Sequence, residues 1–153
     1  MSNDRPVLIL DGLNVFYRHW AANPAMDANG EHVGGTVGFL KGIQLLCERY
    51  QPSDIVVTWE GGGSTRRRSV DSSYKSGRRP AKLNRFYEDI PDTVENRNNQ
   101  VAQLVSLIRK AGIKQVYVSD CEGDDIVAYV ANSVYRDKEC IVVSTDKDFF
   151  QLI

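Results

Sequence analysis

Acidic residues follow four runs of branched apolar residues in this 153-residue sequence. Asp11 comes after Val7-Leu8-Ile9-Leu10, and Glu60 after Ile55-Val56-Val57-Thr58-Trp59. Asp120, Glu122, Asp124 and Asp125 come after Ile113–Ser119, and Asp146 and Asp148 after Cys140–Thr145. Gathered in one place, so many carboxylates raise one another's pKa and repel unless protons or cations neutralise them. A divalent cation does so most economically. No His or Cys is grouped with these acids, so the ligand set is all oxygen, which suits Mg²⁺ or Mn²⁺ better than Zn²⁺. Ca²⁺ matches by ligand type, but the spacing is not that of an EF-hand loop. The chemistry served by such a site is phosphoryl transfer, with two ions roughly 3.5–4 Å apart polarising the phosphate and stabilising the leaving oxygen. Taken singly, an acid after a strand is as readily a turn residue or helix cap, and Asp120 is read that way. Recurrence at four strand ends is what points to a shared site.

A shared site requires a scaffold that sets the strand ends side by side. Val7–Leu10, Ile55–Trp59, Ile113–Ser119 and Cys140–Thr145 read as buried strands. Between the first two, Val37, Leu40, Ile43, Leu46 and Cys47 recur at helical spacing over residues 34–50. Val101, Leu104, Val105 and Ile108 define a second helix, stopped by Gly112, with Arg109 and Lys110 at its negative end. A third is predicted from Glu122 to about Arg136, with Ile126, Val127, Val130, Ala131 and Val134 on one face. Strands alternating with helices predict a three-layer α/β sandwich around a mainly parallel sheet, which binds ligands where the strand C-termini open onto a crevice.

The length predicts one domain, and 42% hydrophobic with 25% charged residues excludes collagenous and disordered classes. No apolar run is long enough to span a membrane, and the N-terminus lacks a secretory h-region. Cys47, Cys121 and Cys140 form neither a disulfide framework nor a C-x-x-C pair, which fits a reducing cytoplasm. The net charge of −1 hides a segregation: residues 66–85 hold eight basic side chains against Asp71 alone, so an acidic body carries one strongly basic segment. That segment is either a solvated loop or a phosphate-binding arm that gains affinity by counterion release. His19 and His32 fall outside the acid groups and are expected to titrate without consequence, and Trp20 and Trp59 are read as packing residues. The apolar end Phe149–Ile153 reads as a helix cut in its first turns, so a longer protein is expected.

These motifs, in this order, resemble the structure-specific 5′ nucleases, which include flap endonucleases, the 5′-exonuclease domain of bacterial DNA polymerase I, and the phage 5′–3′ exonucleases and RNase H. Leu8-Ile9-Leu10-Asp11-Gly12 followed by Tyr17-Arg18 resembles the family's opening strand with its metal-binding Asp. Gly30-Glu31, Gly34 and Gly38 resemble the glycine-spaced entry to its first long helix. Val56–Glu60 resembles its second strand, with Glu60 where the family usually has Asp. Arg67 and Tyr74-Lys75-Ser76-Gly77-Arg78 resemble the Tyr-Lys-x-x-Arg segment at the base of the helical arch. Glu122-Gly123-Asp124-Asp125 resembles the Glu-Ala-Asp-Asp signature, and Ser144–Asp148 the Gly-Asp-Lys-Asp segment without its first Gly.

The resemblance implies a PIN-like 5′-nuclease N-terminal catalytic domain over residues 1–153, an arch at about 70–95, and a helical DNA-binding part beyond this sequence. It implies hydrolysis of phosphodiesters at 5′ ends or flaps of DNA or RNA-primed DNA in replication and repair. Asp11, Glu122 and Asp124 with Glu60 would hold one Mg²⁺ or Mn²⁺, and Asp125, Asp146 and Asp148 would contribute to a second. Lys75 would lie by the scissile phosphate and Tyr74 would stack on the end base, while Arg18, Arg67, Arg78, Arg79 and Lys82 would bind phosphate. DNA with a 5′ flap or end is the implied partner, with an RNA primer and replication proteins as further company in the cytoplasm, and neither a membrane nor a small-molecule cofactor is expected. Alternative readings are a PIN-type ribonuclease, a degenerate module that binds branched DNA without cutting it, and a receiver-type regulatory domain; this last would leave the basic segment without a role.

Overall fold

The computed structural model describes residues 4–61, 90 and 92–145. Most of the arch region, including the whole basic segment 66–85, and residues 146–153 lie outside the described residues. Among the described residues four strands form one sheet in the order β3-β2-β1-β4, with β1 spanning Val7–Asp11, β2 Asp54–Gly61, β3 Lys114–Ser119 and β4 Cys140–Val143. Every pairing is parallel, so each link between strands has to cross over the sheet. These links contain helices α1 (Gly12–Ala22), α2 (Gly34–Tyr50), α3 (Val94–Lys110) and α4 (Gly123–Tyr129).

Alternation along the central strands creates the layers. Leu8, Leu10, Val57 and Trp59 pack with Val15, Phe16 and Trp20 of α1, Phe39 and Ile43 of α2, and Leu104 and Ile108 of α3. Val7, Ile9 and Val56 face the other way, onto Ile126 and Val127 of α4 and Val130 just beyond it. The sandwich expected from strand–helix alternation is therefore present, with three helices of the described residues on one face and one on the other.

Four local features differ from the sequence reading. Helix α1 was not anticipated, although Leu13, Phe16, Tyr17 and Trp20 recur at three- and four-residue spacing and all join the core. The helix expected from Glu122 to Arg136 stops at Tyr129 and continues as a π-helical turn over Val130–Val134. Glu60 does not close β2 but lies within it, opposite Val118. His32 is fully buried rather than idle: its Nε2 lies 2.7 Å from the Asn23 carbonyl and its Nδ1 3.4 Å from Gln100 Nε2. Gln100 in turn takes the Gly35 N–H on Oε1 at 2.9 Å and donates to Asn96 Oδ1 at 2.7 Å. This buried amide thus satisfies the first turn of α2 from the middle of α3 and locks the two helices together.

At the edge of the sheet opposite the strand C-termini, Asp54 Oδ2 accepts from Tyr135 Oη at 2.5 Å and from Lys114 Nζ, and Asp54 Oδ1 from the Ile55 N–H at 3.0 Å. Burial pushes the Asp54 carboxyl up, but these hydrogen bonds outweigh it and hold the group below its ordinary value. A lowered carboxyl pKa stabilises the fold above the unfolded value of about 3.9, and that contribution is lost as pH falls through the folded value. Asp54→Asn is therefore expected to melt below the wild type at pH 7, with the two Tm curves converging at pH below about 4. Parallel curves across that range would show that the charge is not what Asp54 contributes.

Candidate active site

Asp11 ends β1 opposite Thr58, and the next residue opens α1. It stands at the cap position, yet its side chain makes no capping bond to the helix. Its Oδ2 instead takes the Ser144 hydroxyl at 3.3 Å from the end of β4. Glu60, one strand away, accepts the Gly123 N–H on Oε2 at 3.2 Å. A Cβ built on Gly123 would lie 3.0 Å from Asp11 Oδ1 and 3.7 Å from Glu60 Oε2, so both carboxylates approach the start of α4. Glu122 precedes that helix in extended conformation, only 4% exposed, and its side chain makes no capping bond either. Asp124 Oδ1 takes the Asp125 N–H at 3.0 Å; Asp124 is half-buried and Asp125 exposed. The positive end of the α4 dipole partly offsets this collected charge.

Three strand ends therefore deliver acids to one edge, as their recurrence predicted. Asp120 is a turn residue, at φ +59° with its N–H bonded to the Gly61 carbonyl at 3.0 Å. Arg18 is exposed on α1, and burial and then the Arg18 charge push the neighbouring His19 below its ordinary pKa. Asp146, Asp148, Lys75, Arg67, Tyr74, Arg78, Arg79 and Lys82 lie outside the described residues. Among the described residues, no three Asp, Glu, His or Cys side chains converge closely enough to hold an ion by themselves. The donors that do converge still suit a hard divalent cation. They are carboxylate oxygens from neighbouring strands and a Ser144 hydroxyl, without imidazole or thiolate, around a glycine that puts no methyl between Asp11 and Glu60.

Ser144 and Gly123 were not singled out as site residues from sequence, although both lie inside motifs that were. Gly123→Ala tests how much room the site keeps. The contact is with one carboxylate oxygen at 3.0 Å, and Ala restricts the unfolded chain more than Gly by about 0.4–1 kcal/mol. A small rise in Tm is expected from differential scanning calorimetry, and a fall would show Asp11 to be rigidly held.

The same fold is found in bacteriophage T5. This chain superposes on a T5 flap endonuclease solved with DNA and metal ions at a TM-score of 0.69 and 20% identity, over 97% of this chain and 52% of that one. A T5 5′-exonuclease solved with divalent zinc gives a TM-score of 0.66 at 21% identity, over 97% and 52%. Residues 6–153 match the model of the 5′-3′ exonuclease N-terminal resolvase-like domain, and the chain belongs to that family. Its relatives include a 5′-3′ exonuclease of Buchnera aphidicola subsp. Schizaphis graminum, 28% identical over 99% of this chain and 50% of that protein. The flap endonuclease Xni of Shewanella sediminis is 31% identical over 95% of this chain and 51% of that protein. The chain thus spans about half the length of the curated relatives it matches.

Proposed function

We propose that this chain carries the catalytic half of a divalent-metal-dependent, structure-specific 5′ nuclease. The observation that carries the reading is the approach of both Asp11 and Glu60 to Gly123 on the C-terminal edge of a parallel sheet, within a chain of the 5′-3′ exonuclease family. Asp11, Glu122 and Asp124 with Glu60 hold one ion, and Asp125, Asp146 and Asp148 contribute to a second. The all-oxygen donor set favours Mg²⁺ or Mn²⁺, although a T5 relative is known with zinc. Bound there, such ions supply a nucleophilic hydroxide and neutralise charge on the phosphate.

The chain's own residues do the rest. Asp11 and Asp124 orient the reacting phosphate through the site they build, and Lys75 places a fixed positive charge where negative charge develops. Tyr74 stacks on the terminal base, a contact worth about 1–3 kcal/mol in single-strand binders. Arg18, Arg67, Arg78, Arg79 and Lys82 grip the backbone. Water adds to phosphorus, the bond to the 3′ oxygen breaks, and the products are a 5′ phosphate and a 3′ hydroxyl. DNA with a 5′ flap or end is the substrate, with RNA-primed ends included, and the setting is replication or repair in the cytoplasm. Among the described residues no helix is long and apolar enough to cross a membrane.

The test is cleavage of a 5′-labelled flap duplex with and without Mg²⁺, using this chain and a version extended to the length of its relatives. Mg²⁺-dependent flap release by the longer protein is expected, with little from the 153-residue chain. If both bind the flap and neither cuts it, the binding-module reading replaces the nuclease.

A further inference from the structure

The β1–β4 ladder ends at the Leu10–Val143 pair, which leaves Ser144 and Thr145 outside it. They are nevertheless tied down. Thr145 N–H donates to Asn14 Oδ1 at 2.9 Å, Asn14 Nδ2 donates to Thr145 Oγ1 at 2.9 Å, and Thr145 Oγ1 lies 3.2 Å from the same Oδ1. Asn14 is in the first turn of α1, three residues after Asp11, and the contact closes 131 residues of chain. The amide group of Asn14 thus acts as an extra rung, pairing with the backbone and hydroxyl of a residue that has left the sheet. Its neighbour Ser144 is the residue whose hydroxyl rests on Asp11 Oδ2.

We infer that Asn14 is a positioning residue of the carboxylate site. By docking the exit of β4 onto α1 it holds Ser144 against Asp11 and fixes the rotamer of that carboxylate. This assignment rests on the metal-site reading above. The hydrogen bonds are solvent-exposed, so their contribution to overall stability is small, and what they add is a fixed relation between two strand ends. Outer partners that orient a metal-binding side chain typically contribute about 10–100-fold in metal affinity when removed.

The experiment is a Mn²⁺ titration of the chain followed by paramagnetic broadening of the Gly12 and Gly123 amide resonances, with Tm measured in parallel without metal. Asn14→Ala is expected to weaken Mn²⁺ binding about 10-fold or more with little change in Tm. Thr145→Val, which keeps the backbone N–H, should lose part of this and Thr145→Ser almost none. Asn14→Ala combined with Thr145→Val should bind no worse than Asn14→Ala alone, because both act through one contact. Equal Mn²⁺ midpoints for wild type and Asn14→Ala would overturn the role of Asn14 while leaving the metal site standing. Equal affinity losses for Thr145→Ser and Thr145→Val would also overturn it. Absence of localised broadening in the wild-type chain would overturn the metal reading and this inference together.

Discussion

Asp11→Asn is expected to abolish the response of this protein to divalent metal while making the metal-free fold more stable. The substitution keeps size and the acceptor for the Ser144 hydroxyl, but removes one negative charge from a place where Glu60 and the acids of α4 already gather. Relief of like-charge repulsion raises Tm in EDTA. In the wild type, Mg²⁺ at 100 times its Kd adds about 2.7 kcal/mol. For a chain of this length that is a shift of about 5–10 °C in Tm. The variant should show almost none of that shift. In the extended protein its cleavage rate should fall on the order of 10²–10³-fold, the loss seen when one electrostatic group aimed at developing charge is removed. A Tm that rises equally with Mg²⁺ in both proteins would place the ion elsewhere.

Gly12→Ala should be the most damaging single methyl that can be added near the site. A Cβ at this position would lie 2.5 Å from the Thr58 carbonyl oxygen and 2.6 Å from Cε3 of Trp59. The first is backbone in the middle of the sheet, and the second is a ring 7% exposed and stacked with Phe39 at 6.1 Å, so neither can yield cheaply. The start of α1 must lift off β2 instead. Overpacking of this kind costs about 1–3 kcal/mol or more. The matching fall in Tm is about 2–12 °C. Because Asp11 is the adjoining residue, the same movement carries its carboxylate away from Glu60, and the Mg²⁺-induced rise in Tm should shrink with it. A variant that melts lower yet keeps the full metal response would show that β1, and not α1, fixes the position of Asp11.

The two variants separate charge from geometry. Asp11→Asn leaves the scaffold intact and removes a ligand, whereas Gly12→Ala keeps every ligand and moves one of them. Loss of metal response in both, with opposite changes in metal-free Tm, is the pattern that a site built on the β1–α1 junction requires.

Much of this protein was legible from its residues alone, because the relevant signals are local. Branched runs such as Val7–Leu10 and Val56–Trp59 specify buried strands, the spacing of Leu104 and Ile108 specifies a helix face, and an acid after each strand specifies which end of the sheet is charged. Parallel topology follows from the alternation, and the convergence of strand ends follows from parallel topology. Helix α1 is legible too, through the three- and four-residue spacing of Leu13, Phe16, Tyr17 and Trp20.

What the tertiary structure alone decided are relations between residues far apart in the chain. Only the register of β1 against β4 brings Ser144 to Asp11, and only the packing of α4 on β1 and β2 brings Gly123 to Asp11 and Glu60. Only the packing of α2 on α3 makes Gln100 the partner of Gly35 and His32, and turns a histidine with no evident task into a buried structural one. Nor does any spacing reveal that Asn14 reaches Thr145 across 131 residues. Periodicity records which face of its own element a residue occupies. Which two faces then meet is set by side-chain volumes and strand register summed over the whole core, and no single stretch of sequence contains that sum.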